Sequence, residues 1–343
     1  MGYEAQQICY DMMPVYQTQK GVIPSLKRRA RAALNGIIRH QQIKNWKKRE
    51  NAFYSFQQTI PHSSKVYNKD TIVQASEDYD LFITGSDQVL NTDWYHPAFF
   101  LEFVPDNKKK IAYAASIGKC ELDDRTRQIF EKTLQSFTAI SVRETDAADM
   151  IRECTEVPVT QTLDPTMVLT AEQWDELCAP PVVQEPYVFC FLLGEGIQER
   201  KLVQEYAAKK GCKLVTLPHF PCRYLPADNN FGDIMLYDIS PAEFISLIKY
   251  AQVIFTDSFH ATAFSSIYQK EYFVFERTGA RSMRSRVVSL TNLFACEGHF
   301  LCMPEMMTVE YIDSIKPIEY DRMAEKLAME RQKSIEFLRK AME

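Results

Sequence analysis

Through most of this chain, short apolar runs of strand length alternate with stretches whose apolar residues recur at helical spacing. Leu81–Thr84, Ile111–Ser116, Ala139–Val142 and Pro158–Leu163 read as strands, and helices are predicted over Asp123–Ser136 and Thr145–Arg152. A helical piece at Ala171–Cys178 then runs into Ala179-Pro180-Pro181 and Gln184-Glu185-Pro186. Proline there forbids helix continuation and stiffens the chain, which marks a linker. Beyond it the alternation restarts with strands at Tyr187–Leu193, Lys213–Leu217, Val253–Thr256 and Tyr272–Phe275. Helices are predicted at Gln198–Lys210, ended by Gly211, and at Ala242–Tyr250. Alternation of this kind predicts parallel sheets covered by helices, so the fold class is α/β, with two such domains in succession and a last helix near Tyr320–Met342.

A different pattern occupies the stretch from about 23 to 56. Leu26, Ala30, Leu34, Ile37, Ile38 and Phe53 recur at roughly helical spacing, and residues 12–49 hold ten Lys or Arg and no acid. One long amphipathic helix is expected, with a break at Gly36. Its basic face is either solvated or in peripheral contact with an anionic membrane surface. The whole chain carries a net charge of −5, so the remainder is acidic, and no recognised nucleic-acid module is present. Nucleic acid is therefore not an expected partner. No window approaches the roughly 20 apolar residues of a membrane span, and no secretion signal opens the chain, so cytoplasmic residence is expected. Nine scattered cysteines without a Cys-x-x-Cys spacing suit reduced thiols better than disulfides or zinc, and no metal site is expected.

In open parallel sheets, ligands bind beyond the carboxyl ends of strands, which singles out four segments. Thr256-Asp257-Ser258-Phe259-His260 leaves a strand and opens a helix, so His260 falls in a first turn where unpaired backbone N–H groups favour anions. The alternative is a merely hydrogen-bonded, structural histidine. Thr84-Gly85-Ser86-Asp87-Gln88 presents small polar groups and one carboxylate; Asp87 either activates a hydroxyl or caps a following helix. Arg143 follows a strand end and is suited to two parallel bonds with a carboxylate or phosphate, or to an ion pair with a neighbour such as Glu144. Finally, Glu276 to Arg286 is a glycine-containing loop with four arginines after a strand, suited to an anion or to water. No Gly-x-Ser-x-Gly elbow, His-Glu-x-x-His or phosphate loop ending in Gly-Lys-Ser/Thr is found.

Taken in order, these blocks resemble the polysaccharide pyruvyl transferase family. The resemblance is carried by Tyr79–Val89, Tyr113–Gly118, Ile140–Glu144, Leu163-Asp164-Pro165-Thr166, Thr256–Phe264, Phe275-Glu276-Arg277 with Ser285-Arg286, and Ser334–Leu338. It implies a glycosyltransferase-B-like architecture of two Rossmann-like lobes, over 1–180 and 186–315, with the donor site in the second. The C-terminal helix, 316–343, would return to the first lobe. Phosphoenolpyruvate is the implied donor, with no cofactor, and a glycan or lipid-linked oligosaccharide is the implied acceptor, yielding a cyclic pyruvate ketal and phosphate. Carried onto this sequence, the motifs make His260 the general acid and Asp87 the base. Arg143 and Arg286 become anion clamps with Arg277 and Ser258 beside them, and Gly85, Ser86 and Ser116 line the acceptor side.

Three departures accompany the resemblance. The family usually opens with a strand, an Asn-Tyr-Gly loop and a helix before a segment like Gly2–Tyr10, so a first β-α unit is expected to be absent and a sheet edge exposed. Leu90 stands where Trp is common, which bears on acceptor stacking. Ser258 stands where many members have Arg, leaving the arginines of 277–286 to supply the charge. Competing readings are a nucleotide-sugar glycosyltransferase of the same architecture and an inactive glycan-binding or assembly subunit.

Overall fold

The computed structural model describes residues 2–11, 44, 47–219, 225–277 and 284–343. Strands β1 (Gln7–Tyr10) and β2 (His62–Tyr67) form a parallel pair of their own. Strands β3 (Leu81–Thr84), β4 (Lys109–Ala115), β5 (Ala139–Val142) and β6 (Val159–Gln161) lie side by side in that order, all parallel. The apolar run of β4 is buried along nearly its whole length, as a strand sandwiched between helices must be. Within this sheet β3 is an edge, and its Ile83 is exposed. Most of the basic helix expected over about 23–56, Gly36 included, lies outside the described residues; residues 47–57 are helical.

The second sheet contains β7 (Tyr187–Phe191), β8 (Lys213–Thr216), β9 (Ile234–Met235), β10 (Val253–Thr256), β11 (Glu271–Phe275) and β12 (Phe300–Leu301). Read across, the order is β9-β8-β7-β10-β11-β12, with every pair parallel. This is the doubly wound order in which the direction of strand addition reverses between the first and fourth strands, opening a crevice beyond β7 and β10. Local chemistry agrees with each boundary. Gly211 ends helix Ile197–Lys210 at φ 65°, a left-handed conformation that suits glycine, and Ser240 with Glu243 closes a reciprocal capping box on helix Pro241–Lys249.

The expected linker is not a free tether. Met167 and Leu163 lie in the second lobe's core, with Trp174, Cys178, Val182 and Val183 packed against it, and Ser246 Oγ donates to the Pro180 carbonyl. The chain thus joins the second lobe's packing well before Pro180. Helix Tyr320–Met342, about 35 Å long at the usual rise, bolts both lobes together. Met323 and Leu327 sit in the second lobe's core, while Phe337 stacks on Tyr113 and Lys109 Nζ donates to the Met342 carbonyl of the helix's last turn. On another side, buried Arg49 of the 47–57 helix donates to the carbonyls of Tyr237 (2.7 Å) and Leu236 (3.5 Å) in the second lobe.

Ser334 ties the helix to the segment that follows β6. It is fully buried, its Oγ donates to Glu330 O at 2.8 Å, and it accepts the Leu163 N–H at 2.9 Å just beyond β6. Ser334→Ala removes the acceptor and orphans that N–H, so urea denaturation should show a loss of about 1–3 kcal/mol.

Candidate active site

The carboxyl ends of the two sheets face each other, and their connecting turns converge on the carboxylate of Asp164. This residue follows β6 and caps the short helix Pro165–Val168, its Oδ1 accepting Thr166 N–H (2.9 Å) and Oγ–H (2.7 Å). Oδ2 accepts from Ser86 Oγ at 2.6 Å and from Arg143 Nη1 at 2.5 Å, and lies 3.8 Å from His260 Nε2. Burial works to raise the Asp164 pKa, yet Arg143, His260 and the two hydroxyls outweigh it and hold the carboxyl below its ordinary value. Asp164 is therefore a fixed anion tying three strand-end segments together.

Arg143 leaves β5 with its guanidinium 4.6 Å from the centre of the Phe259 ring, a contact made across the lobes. Its Nη2 also reaches Asp87 Oδ1 at 3.3 Å, and Arg286 Nη1 of the second lobe meets the same oxygen at 3.1 Å. Both guanidiniums are nearly closed to water, whereas the Asp87 side chain is 62% exposed. Asp87 does not cap a helix: it sits at φ 53° in a turn whose own carbonyl accepts the N–H groups of Val89 and Ser116. Just before it, Gly85 has φ 124°, and a Cβ there would strike the Tyr113 carbonyl oxygen, so only glycine fits.

Arg286 stands in helix Arg284–Leu293, not in the loop expected from its glycine and arginine content. That helix docks on the N-terminus of helix Thr145–Arg152, Ser285 Oγ donating to Asp146 Oδ1 at 2.5 Å and Thr145 N–H reaching Ser289 Oγ at 3.4 Å. The docking carries Arg286 into the first lobe's strand ends. Arg284 points elsewhere, to Glu276.

His260 occupies the first turn of helix Phe259–Ile267, which Ser258 caps through a 3.5 Å bond from Ala261 N–H. Ser258 is buried and its hydroxyl serves that cap. Water reaches 42% of the His260 side chain. Desolvation, reinforced by Arg143 and Arg286 against the pull of Asp164 and Asp87, lowers its pKa. Asp257 next to it accepts the N–H groups of Leu193 and Gly194, both at 2.7 Å, and so binds the β7 turn to the β10 turn. Arg277 leans on the same residue, donating from Nη2 to its carbonyl at 2.9 Å, and joins the Asp87 cluster by no hydrogen bond among the described residues.

Six buried side-chain atoms lack a hydrogen-bond partner among the described residues, and all belong to this cleft: Ser116 Oγ, the Nε of Arg143, Arg277 and Arg286, and both oxygens of Glu144. Burial pushes the Glu144 pKa up, against the opposing pull of Arg143, Ser116 and Arg286. Two of these nitrogens still face a carboxylate, Arg143 Nε at 3.9 Å from Glu144 Oε1 and Arg277 Nε at 3.5 Å from Asp257 Oδ2. Buried donors without a hydrogen bond cost free energy, and their concentration here, beside a helix N-terminus, fits a site built for an anion.

The structure thus brings together Ser86, Asp87, Arg143, His260 and Arg286, with Gly85 shaping the turn. Ser116 lies beside Glu144, and Ser258 and Arg277 brace the β10 turn. Leu90, expected to bear on acceptor stacking, is fully buried in the first lobe's core. Asp164, the hub, had only its place in a motif to announce it. Among the described residues, no group of His, Cys, Asp or Glu is placed to hold a metal, and no helix is long and apolar enough to cross a membrane.

Comparison with known proteins adds a family. A family model described as polysaccharide pyruvyl transferase matches residues 1–278. No curated protein matches. Among solved structures, a UDP-GlcNAc 2-epimerase from Methanocaldococcus jannaschii is similar at TM-score 0.51 and 12% identity, over 79% of this chain and 86% of that one. A UDP-GlcNAc 2-epimerase from Neisseria meningitidis is similar at TM-score 0.43 and 13% identity, over 77% and 80% respectively. At such identities the first of these establishes the glycosyltransferase-B-like fold of two Rossmann-like lobes and nothing about substrate.

Two outcomes follow from the geometry. Asp164→Ala strands the buried Arg143 charge and should cost about 3–5 kcal/mol in chemical denaturation. His260, lowered in the free protein, is neutral near pH 7, and a bound anion favours its protonated form. Calorimetric binding of sulfate should therefore tighten as pH falls from about 8 to about 6, with proton uptake, and His260→Ala should abolish that pH dependence.

Proposed function

The chain belongs to the polysaccharide pyruvyl transferase family, and we propose that it transfers pyruvate from phosphoenolpyruvate onto a hydroxyl pair of a glycan as a cyclic ketal, releasing phosphate. One observation carries the donor assignment. Arg143 of the first lobe and Arg286 of the second converge within reach of His260, at the carboxyl ends of both sheets. A donor bearing a phosphate and a carboxylate on adjacent atoms matches two guanidiniums and a helix N-terminus.

In this reading Arg143 and Arg286 seat the two anionic groups and His260, protonated once they are bound, delivers a proton to the methylene carbon. Positive charge develops at the neighbouring carbon, which a sugar hydroxyl oxygen attacks while its proton passes to Asp87. The carbon–oxygen bond to phosphate then breaks, phosphate leaves with the electron pair, and the second hydroxyl closes the ring. Of the two hydroxyl protons, one balances the new methyl group and the other leaves on phosphate. Asp164 fixes Arg143 and Ser86 throughout, and no cofactor is required by this scheme. The acceptor would be a cell-surface glycan or its lipid-linked precursor, as in capsule or exopolysaccharide synthesis, lying along Gly85, Ser86 and Ser116. Cytoplasmic work, with peripheral contact of the basic segment at an anionic membrane surface, suits such a precursor.

Phosphate release from phosphoenolpyruvate, measured with galactose-, mannose- and N-acetylmannosamine-containing acceptors, tests this. Acceptor-dependent release is expected, with His260→Ala slowing turnover about 10²–10⁴-fold. Transfer from a uridine diphosphate sugar, with no use of phosphoenolpyruvate, would replace the proposal with a glycosyltransferase.

A further inference from the structure

Asp87 holds a position that the proposed base has no need of. Its Oδ1 accepts from Arg143 Nη2 and Arg286 Nη1 together, so a carboxylate of the protein occupies the point between the two guanidiniums. The two contacts, at 3.3 and 3.1 Å, are longer than the roughly 2.7–2.9 Å of a strong charge-assisted bond, and Asp87 is mostly in water. Arg143 keeps a tight partner in Asp164 at 2.5 Å whatever Asp87 does. For Arg286 the balance differs: Nη1 ends on Asp87 and Nε has no hydrogen-bond partner.

We infer that Asp87 is an internal anion that the donor displaces, so that acceptor activation waits for donor binding. A phosphate or carboxylate oxygen arriving at Arg286 competes for the same N–H groups, and the weaker, solvent-exposed contact yields. Asp87, freed from both arginines, has Oδ1 open to accept a hydrogen bond from a sugar hydroxyl. With no donor bound, Oδ1 stays committed to both guanidiniums and is closed to a sugar hydroxyl. The binding order is donor first, acceptor second. This ordering rests on the pyruvyl-transfer reading, whereas the competition at Arg286 concerns any small oxyanion.

Calorimetric titration of wild type, Asp87→Asn and Arg286→Lys with phosphoenolpyruvate and, separately, inorganic phosphate separates the two. Asp87→Asn keeps the side chain's shape and removes its charge. It should bind both anions about two- to fivefold more tightly than wild type, the scale of one exposed ion pair, while losing turnover. Gained affinity is a direction that damaged structure does not produce. Arg286→Lys should weaken both ligands and erase the gain when combined with Asp87→Asn. Equal or weaker anion binding by Asp87→Asn overturns the inference and leaves pyruvyl transfer standing. Phosphate tightening without any phosphoenolpyruvate binding would support the displaced anion while removing the donor assignment. Acceptor glycan binding to wild type at full strength without donor would also overturn the ordering.

Discussion

Everything at the centre of this molecule depends on one buried carboxylate. Asp164 offers two oxygens to five neighbouring polar contacts or charges drawn from different turns, and it does so with its side chain almost wholly out of water. Taking a carboxylate and a guanidinium into the interior costs several kcal/mol each, and only close geometry with filled lone pairs repays it. Here Ser86, Thr166 and Arg143 fill them. The consequence is positional: the β3 turn, the β5 end and the β6 end cannot shift independently, so the Asp87 backbone and the Arg143 side chain keep a constant relation to His260.

The lobes meet through a second set of contacts. Arg143 lies against Phe259, helix Arg284–Leu293 docks on the helix that follows Glu144, and the terminal helix spans both cores. A cleft fastened on several sides allows two cations from different lobes to be held near each other without an adjacent counter-ion for every nitrogen. Stability elsewhere, in the apolar cores beneath each sheet, offsets the cost of those unpaired donors. The same economy explains why Asp257 spends both carboxylate oxygens on backbone N–H groups: it makes the crevice between β7 and β10 rigid where His260 must stand.

Architecture and chemistry separate cleanly in this chain. Two Rossmann-like lobes are shared with an enzyme acting on a nucleotide sugar, at an identity too low to carry a substrate across. Family membership comes from a match over residues 1–278, which takes in the turns at the carboxyl ends of the strands. The scaffold supplies helix N-termini and a crevice; the choice of side chains at the strand-end turns decides what is done there.

Much of the fold was legible along the chain because buried parallel strands need continuous apolar runs. Leu81–Thr84, Ala139–Val142, Val253–Thr256 and the terminal helix Tyr320–Met342 fall where their patterns place them. Strands with few buried residues left no such mark: β1 has no fully buried residue and β2 only two, and β9 and β12 are two residues long. Helix Arg284–Leu293 was hidden by arginine and serine in its first turn, which read as a loop. What the sequence by itself determined is the succession of strands and the residue types at their ends, since both follow from local periodicity and strand-end chemistry. Which of those ends meet, with Asp164 between Ser86 and Arg143, and Arg286 reaching Asp87 from 199 positions away, only the tertiary structure decided, because pairing between distant charges is set by how sheets and helices stack and leaves no periodic trace.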